Sequence, residues 1–275
     1  MQIMGVLNVT PDSFHDGGRL DGTAQAVEAG LALFAAGADI VDVGGESTRP
    51  GAAPVPADTE RGRVVDVVTE LARHGRVSVD TRKAEVARAA VATGATIVND
   101  VSGTLGPVAG ELGAGYVAMH MRGTPGTMQR APHYRDVVGE VTAFLLRTAE
   151  QARRAGAPTV WLDPGFGFGK TLAHNVALFR AIPRLAAYGF PVLIGVSRKS
   201  MLGALTGRHT PAQRLAGSLA AVCAAAQLGA RVVRVHDVAE TVDALRVARA
   251  LLPAAVPTAL TALESDDLVP AGAPW

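Results

Sequence analysis

The sequence predicts an α/β protein built as a single (β/α)8 barrel, with its active site at the carboxyl ends of the strands. Eight short apolar segments occur along the chain, and each is followed by a segment with helical character. Continuous apolar strands are typical of parallel sheets, and a count of eight favours a closed barrel. The length of 275 residues suits one such barrel. The alternative is an open doubly wound sheet, but no Gly-x-Gly-x-x-Gly turn follows the first strand.

The eight predicted strands are short runs rich in Val, Ile, Leu and Ala, most of them followed directly by a polar residue or a glycine. They cover residues 3–8, 38–43, 76–79, 96–98, 115–118, 159–162, 191–195 and 231–235. Because these strands carry little alternation between apolar and polar positions, we expect both faces of the sheet to be covered.

Helices are predicted between the strands from apolar spacing and from end signals. They cover residues 23–36, 58–73, 83–93, 107–112, 134–155, 175–187, 200–205, 211–228 and 238–252. Thr23 is the expected N-cap of the first helix, and Gly37 is its expected terminator. The barrel is therefore predicted to span residues 1–252. Residues 253–275 are rich in Pro and Ala without periodicity, and we expect a tail there that is either disordered or laid on the surface.

Composition excludes several classes of function. A net charge of +1 argues against a nucleic-acid groove or a patch for acidic membranes. No run of 18 apolar residues and no basic leader occurs, so neither a membrane span nor an export signal is predicted. The only cysteine, Cys223, cannot form an intrachain disulfide, and a reduced, cytoplasmic location is expected.

Chemically distinctive side chains gather at the predicted carboxyl ends of the strands, where barrels of this kind carry their active sites. They are Asn8, Glu46, Thr48, Arg49, Asp80, Asn99, Met119, His120, Asp163, Ser197, Arg198, Lys199, Arg234 and His236. Any one of them could be a helix cap or a core hydrogen bonder. Asp80, Asn99 and Asp163 together are harder to explain, because buried carboxylates and amides are costly unless paired. A ligand that pairs with them is therefore predicted.

Two carboxylates, an amide and a lysine suit a flat nitrogen heterocycle. A carboxylate accepts two parallel N–H bonds from an amidine-like edge. Asp80, Asp163, Asn99 and Lys199 therefore match a ring that alternates donors and acceptors, such as a 2-amino-4-oxopyrimidine. The glycine-rich loop of residues 163–170 would let the backbone approach such a ring closely.

A second group of side chains suits anions. Arg49, Arg234 and His236 offer cationic groups, and Asn8 offers one oxygen ligand, which suits a di- or triphosphate with Mg²⁺ held mainly by phosphate and water. The free N–H groups at the start of the short helix at Ser200 suit a carboxylate. The sequence therefore predicts binding sites for a planar heterocycle, a pyrophosphate and a carboxylate at the carboxyl ends of the strands, the mouth of the barrel.

Eight loops together resemble those of one enzyme family, the dihydropteroate synthases. They are Asn8-Val9-Thr10-Pro11-Asp12-Ser13-Phe14, Gly45-Glu46-Ser47-Thr48-Arg49-Pro50-Gly51, Val79-Asp80-Thr81, Val98-Asn99-Asp100-Val101-Ser102-Gly103, Met119-His120-Met121, Asp163-Pro164-Gly165-Phe166-Gly167-Phe168-Gly169-Lys170, Ser197-Arg198-Lys199-Ser200 and Arg234-Val235-His236. The resemblance runs from residue 3 to about residue 252, and the combination is highly specific. It implies a (β/α)8 barrel, commonly dimeric. The implied reaction joins 6-hydroxymethyl-7,8-dihydropterin diphosphate to 4-aminobenzoate in folate synthesis and releases pyrophosphate.

The resemblance also implies a role for each matching residue. The pterin would contact Asp80, Asn99, Met119, Asp163, Gly195, Lys199 and Arg234. The pyrophosphate would contact Arg49, Arg234, His236 and, through Mg²⁺, Asn8. The aminobenzoate would lie among Phe14, Thr48, Pro50, Phe168 and Ser200. The implied catalytic residues are Asp80, Asp163, Lys199 and Arg234, and no nucleophilic side chain is needed because the substrate amine is the nucleophile.

Three other functions fit the sequence less well. A non-catalytic pterin-binding paralogue would lose the pyrophosphate or aminobenzoate groups, and this chain keeps both. A pterin-dependent methyltransferase has no use for Thr48-Arg49-Pro50 together with Ser197-Arg198-Lys199-Ser200. A Schiff-base aldolase would need Lys199 as a desolvated amine, whereas Arg198 and Asp163 suit a charged hydrogen-bond donor.

Overall fold

Eight parallel strands form the barrel that the sequence predicts. The computed structural model describes residues 1–10, 19–49 and 51–251. The strands are β1 (Gln2–Asn8), β2 (Ile40–Gly44), β3 (Arg76–Asp80), β4 (Ile97–Asp100), β5 (Gly115–Met119), β6 (Val160–Asp163), β7 (Leu193–Ile194) and β8 (Val232–Val235). Their order is β6-β5-β4-β3-β2-β1-β8-β7. A parallel bridge between Leu162 and Val192 joins β6 to β7, so the sheet returns on itself and the predicted fold class is confirmed.

Ten α-helices in the described part of the chain surround the strands. They are α1 (Arg19–Ala35), α2 (Ala57–Leu71), α3 (Ala84–Ala92), α4 (Gly106–Glu111), α5 (Val137–Arg154), α6 (Leu172–Arg180), α7 (Ile182–Ala186), α8 (Ser200–Thr206), α9 (Leu215–Gln227) and α10 (Val238–Leu251). None of these helices is long and apolar enough to cross a membrane. The predicted tail, residues 253–275, lies outside the described residues.

Helix ends test the predicted signals directly. Gly37 follows α1 with a φ of 103°, in the left-handed region that favours glycine, so its predicted terminator role is confirmed. The prediction that Thr23 is the N-cap of this helix is wrong, because α1 already begins at Arg19 and Thr23 lies inside it. No proline stands between these two positions to stop the helix from starting earlier.

Two other predicted boundaries differ in an instructive way. The helix predicted over residues 175–187 is split into α6 and α7 at Ala181, because Pro183 has no N–H to continue the first helix. The helix predicted from residue 134 begins instead at Val137, where the Asp136 carboxylate caps it by accepting from the Gly139 amide at 3.0 Å. Proline and capping chemistry therefore override apolar spacing at both boundaries.

The barrel interior is layered along the strands. Seven buried side chains from seven strands form an apolar cluster: Met4, Ile40, Ile97, Val117, Trp161, Leu193 and Val232. Because alternate residues of a strand face the same side, the residues two positions later on these strands also point inward. These later residues are Val6, Asp42, Asn99, Met119, Asp163, Gly195 and Arg234. The apolar cluster is thus a floor beneath a largely polar mouth.

A buried ion-pair network anchors the loop that follows β2. The Glu46 carboxylate, at the start of this loop, accepts from Lys83 Nζ at 2.6 Å and from the Val55 amide at 2.8 Å. Lys83 Nζ also binds the carboxylate of Glu60, a fully buried residue of α2. Both ends of the loop are therefore tied together, which limits where its residues Thr48 and Arg49 can lie.

Replacing the cation of this network should destabilise the protein. Lys83→Met leaves the buried Glu60 carboxylate without its cation, and we expect the free energy of unfolding to fall by about 3–5 kcal/mol. Arg88→Met, on the same helix, removes only an exposed ion pair with Glu111 and should cost less than about 1 kcal/mol. Urea unfolding of both variants makes the comparison. Equal small losses would mean that the network contributes nothing to stability.

Candidate active site

All seven residues assigned to the pterin from the sequence lie at the carboxyl ends of the strands. Asp80, Asn99, Met119 and Asp163 lie at or next to the last residues of β3, β4, β5 and β6, and Arg234 lies near the end of β8. Gly195 and Lys199 lie in the segment between β7 and α8.

The backbone at Gly195 lies close to side chains from two other strand ends. A Cβ placed on Gly195 would lie 3.8 Å from Asp163 Oδ2 and 3.9 Å from Arg234 Cβ, which are ordinary van der Waals separations. The ends of β6, β7 and β8 therefore come together at this point of the mouth.

Arg234 is the centre of the polar mouth. Its Nε donates to Asp42 Oδ2 at 2.6 Å, and its Nη2 donates to Asp80 Oδ2 at 2.7 Å. Asp42 Oδ2 also accepts from Asn99 Nδ2 at 2.9 Å. Within the described residues, Asp42 Oδ1 and Asp80 Oδ1 are buried without a hydrogen-bond partner. One guanidinium thus binds two carboxylates, and each carboxylate has one oxygen without a partner among the described residues.

Asp42 is a site residue that reasoning from the sequence missed. It lies in the middle of β2 and is fully buried, whereas the sequence argument considered only polar residues at strand ends. A signal was present, because an acid two positions after Ile40 must face the same side of the strand as that core residue. A buried acid inside a strand is costly without a partner, and here Arg234 is that partner.

Burial and neighbouring charges shift the pKa values of the ionisable side chains in the mouth. Burial raises the pKa of Asp80 above its usual range, Arg234 opposes this, and the charge of Asp42 raises it further. Burial also raises the pKa of Asp163, although the Gly165 amide donates to its Oδ1 at 2.7 Å. Burial lowers the pKa of Lys199 to about 8, with the charge of Arg234 acting in the same direction. The ionisable side chains of the mouth are therefore poorly solvated, and polar groups of a ligand could solvate them.

A buried lysine holds the glycine-rich loop after β6. Lys170 Nζ contacts His120 Nδ1 at 3.0 Å and donates to the carbonyls of Gly165 and Phe168 at 3.0 Å each. Burial lowers the pKa of Lys170 to about 7 and that of His120 to about 3. Gly165 has a φ of 68°, and a Cβ there would lie 2.0 Å from the His120 carbonyl oxygen. Only glycine fits this close approach, so the loop conformation is fixed at its start.

The loop places Phe168 on one wall of the mouth. Phe168 packs in a small apolar cluster with Met119, Val101 and Met128. Lys199 Nζ lies 4.1 Å from the centre of the Phe168 ring, a cation–π contact. Met119 and Phe168, which the sequence assigned to different substrates, therefore belong to one continuous wall.

Two further residues predicted to bind pyrophosphate are His236, which follows β8, and Arg49, in the loop after β2. His236 Nδ1 contacts Ser197 Oγ at 3.1 Å, and burial together with Arg234 lowers its pKa to about 4. The lowered pKa favours the neutral form of the ring, and the prediction that His236 contacts pyrophosphate stays a prediction. Arg49 is exposed, and its charge contributes to the lowered pKa of Lys199. Arg198 instead donates from its Nε to Asp237 at 3.0 Å.

The proposed aminobenzoate residues are only partly described. Thr48 is half-buried in the loop after β2, and Ser200 is exposed at the first position of α8. Phe14 and Pro50 lie outside the described residues. The loop after β2 is also fixed by the Gly51 amide, which donates to the Pro125 carbonyl at 3.0 Å.

Asn8 fits the part of a lone magnesium ligand. Its half-buried side chain lies at the end of β1 and makes no hydrogen bond among the described residues. Across those residues no group of three or more His, Cys, Asp or Glu side chains could hold a metal ion. One neutral amide oxygen suits Mg²⁺ that takes its other ligands from phosphate and water.

Comparisons with known proteins show to which family the chain is similar. A family model described as "Pterin binding enzyme" matches residues 4–236. The dihydropteroate synthase of Escherichia coli (strain K12) is 46% identical over 260 residues, which cover 92% of each chain.

Two solved structures of the Xanthomonas albilineans dihydropteroate synthase share the fold. The structure with 4-aminobenzoic acid has a TM-score of 0.85 at 50% identity and covers 93% of this chain and 94% of that one. The complex with 7,8-dihydropteroate has a TM-score of 0.81 at 47% identity, with the same coverage of both chains. With its barrel, its polar mouth and these matches over nearly its whole length, the chain belongs to the pterin binding enzymes and, among them, to the dihydropteroate synthases.

Proposed function

We propose that this chain condenses 6-hydroxymethyl-7,8-dihydropterin diphosphate with 4-aminobenzoate to give 7,8-dihydropteroate and pyrophosphate in folate synthesis. It would be a transferase that forms a C–N bond. The observation that carries the proposal is the convergence of Asp80, Asn99 and Asp163 with Gly195 and Arg234 at the carboxyl ends of the strands. Relatives of the same fold bind 4-aminobenzoic acid and 7,8-dihydropteroate, which supports it.

The pterin would lie against the polar mouth. Asp163 and Asp80 are carboxylates whose burial favours a ligand that donates N–H groups, and Lys199 supplies a donor on the same side. Met119 would pack on one face of the ring, and the Arg234 guanidinium would lie against the other face. The ring would thereby be fixed with its reactive methylene toward the phosphate side.

The reaction needs no side chain as nucleophile. The C–O bond between the methylene carbon and the diphosphate breaks, the arylamine nitrogen forms a C–N bond with that carbon, and the amine loses a proton. A cation developing on the methylene would be stabilised by the electron-rich pterin and by the charges of Asp80 and Asp163. Arg234 and His236 would bind the departing pyrophosphate, with Arg49 closing over it.

Magnesium is part of the proposal, with Asn8 as its protein ligand. Bound there, Mg²⁺ would neutralise charge on the diphosphate as it leaves. Asn8 would orient the diphosphate so that it departs away from the incoming amine. The half-buried position of the Asn8 amide at the end of β1 supports this assignment.

The aminobenzoate would enter from the side of the loops. Its carboxylate would meet Ser200 and the first N–H groups of α8, while Thr48 and Phe168 would flank its ring; Phe14 and Pro50 complete the proposed set. Sulfonamides should compete at the same place, since a relative from Yersinia pestis is known in a "Sulfonamide Drug Complex". A homodimer in the cytoplasm completes the proposal, supported by the family resemblance and by the lone Cys223.

A coupled assay for pyrophosphate release tests the function. We expect release that requires both the pterin diphosphate and 4-aminobenzoate, and a sulfonamide should inhibit it competitively with 4-aminobenzoate. Release that is independent of the arylamine would indicate a hydrolase and would contradict the proposal.

Asp163→Asn should weaken pterin binding without unfolding the protein. The substitution turns one acceptor of the mouth into a donor, and we expect a loss of about 2–4 kcal/mol in the binding free energy of a free pterin. Calorimetry measures it. Asp39→Asn is the matched control, because Asp39 accepts from the Ile3 amide at the opposite end of the barrel. Unchanged affinity in Asp163→Asn would remove Asp163 from the site.

Asn8→Ala should change the magnesium requirement and little else. With its one protein ligand gone, the Mg²⁺ concentration for half-maximal turnover should rise at least about tenfold, a loss of about 1.4 kcal/mol. Binding of a free pterin, which carries no phosphate, should stay within about twofold and serves as the control. A magnesium titration that coincides with the wild-type curve would place the metal elsewhere.

A further inference from the structure

We propose that Asp42 is a positioning residue that fixes which end of the Asn99 side-chain amide faces the substrate. The inference rests on the proposed function, because it takes the pterin to be the ligand of this mouth. Asp42 itself is fully buried in the middle of β2 and lies below the residues that line the opening. It would therefore act through Asn99 and Arg234 and not by touching the pterin.

The orientation of the Asn99 amide follows from what Asp42 can do chemically. Asp42 Oδ2 receives the Arg234 guanidinium at 2.6 Å, and a carboxylate in such an ion pair only accepts hydrogen bonds. Asn99 must therefore turn its Nδ2, and not its Oδ1, toward Asp42, and the two atoms lie 2.9 Å apart. This removes the usual ambiguity between the oxygen and nitrogen of an amide.

The other end of the amide is then an acceptor available to a ligand. Asn99 Oδ1 accepts no hydrogen bond among the described residues, and it is not one of the buried atoms left unpaired there. A pterin must consequently present an N–H group to Asn99. If the amide turned over, Asn99 Nδ2 and the pterin N–H, both donors, would face each other. Binding would then lose the hydrogen bond and leave the pterin N–H without an acceptor.

The neighbouring strands explain why Asn99 reaches down to Asp42. In the sheet register Asn99 pairs with Asp80, and Asp80 pairs with Gly44. Gly44 puts no side chain at this level, and a Cβ there would already lie 3.5 Å from Asp80 Cβ. Asp42, two residues earlier on the same strand, is the first side chain of β2 that Asn99 can meet.

An exchange of the amide and the carboxylate tests the proposal. Asn99→Asp alone sets two carboxylates together and should raise KM for the pterin diphosphate at least tenfold. In the double variant Asp42→Asn/Asn99→Asp, the amide at position 42 can donate to the carboxylate at position 99. An acceptor would again face the substrate, and we expect at least tenfold recovery relative to Asn99→Asp.

The readouts separate positioning from a general loss of structure. KM for 4-aminobenzoate should stay within about twofold in Asp42→Asn, Asn99→Asp and the double variant, because the wall at Phe168 and Ser200 is untouched. A collapsed barrel would instead raise KM for both substrates. If the effects of Asp42→Asn and Asn99→Asp on the pterin KM simply multiply in the double variant, the two side chains are not coupled and the proposal is overturned.

A measurement without substrate distinguishes failure of this proposal from failure of the proposed function. In the ligand-free wild-type protein, the side-chain amide protons of Asn99 should exchange with water at least tenfold more slowly than those of Gln151, which is exposed on α5. Equal exchange rates would overturn the role of Asp42 whether or not the enzyme turns over. Slow exchange together with absent turnover would support the Asp42 contact and count against the proposed function alone.

Discussion

The mouth of this barrel depends on one buried guanidinium shared by two carboxylates. Removing three charges from water is expensive, and the ion pairs offset that cost only when the geometry is close and every strong donor is used. Arg234 meets the geometric part of this condition with contacts of 2.6 Å to Asp42 and 2.7 Å to Asp80, while one oxygen of each carboxylate has no partner among the described residues. Because these residues come from β8, β2 and β3, the shared cation sets the relative positions of three strand ends.

The same arrangement explains why the site can bind a polar ring. One cation divided between two acids leaves oxygens of Asp42 and Asp80 without partners in the described part of the chain. Burial meanwhile raises the pKa values of Asp80 and Asp163. A ring with N–H donors could bond to Asp80 and Asp163, whereas Asp42 lies below the residues that line the opening. The polar mouth thus holds hydrogen-bonding capacity that the described residues leave unsatisfied.

Reasoning from the sequence predicted the barrel and the convergence of the strand-end residues, since both follow from local pattern and from the rule that parallel strands end on one side. It missed Asp42, because burial of an acid inside a strand depends on a partner 192 residues away. It also left Lys170 without a role, since only the fold brings His120 against it. The error at Thr23 has a different origin, because a residue type that favours the N-cap position is also tolerated inside a helix.

The most direct test of this account is a double-mutant cycle on Asp42 and Arg234, read as the free energy of unfolding in urea. Asp42→Asn and Arg234→Met should each cost about 3–5 kcal/mol, because each leaves a buried charge without its partner. The double variant should cost less than the sum of the two by about 2–3 kcal/mol, the coupling expected of a close buried pair. Additive losses would contradict the claim that this ion pair holds the mouth together.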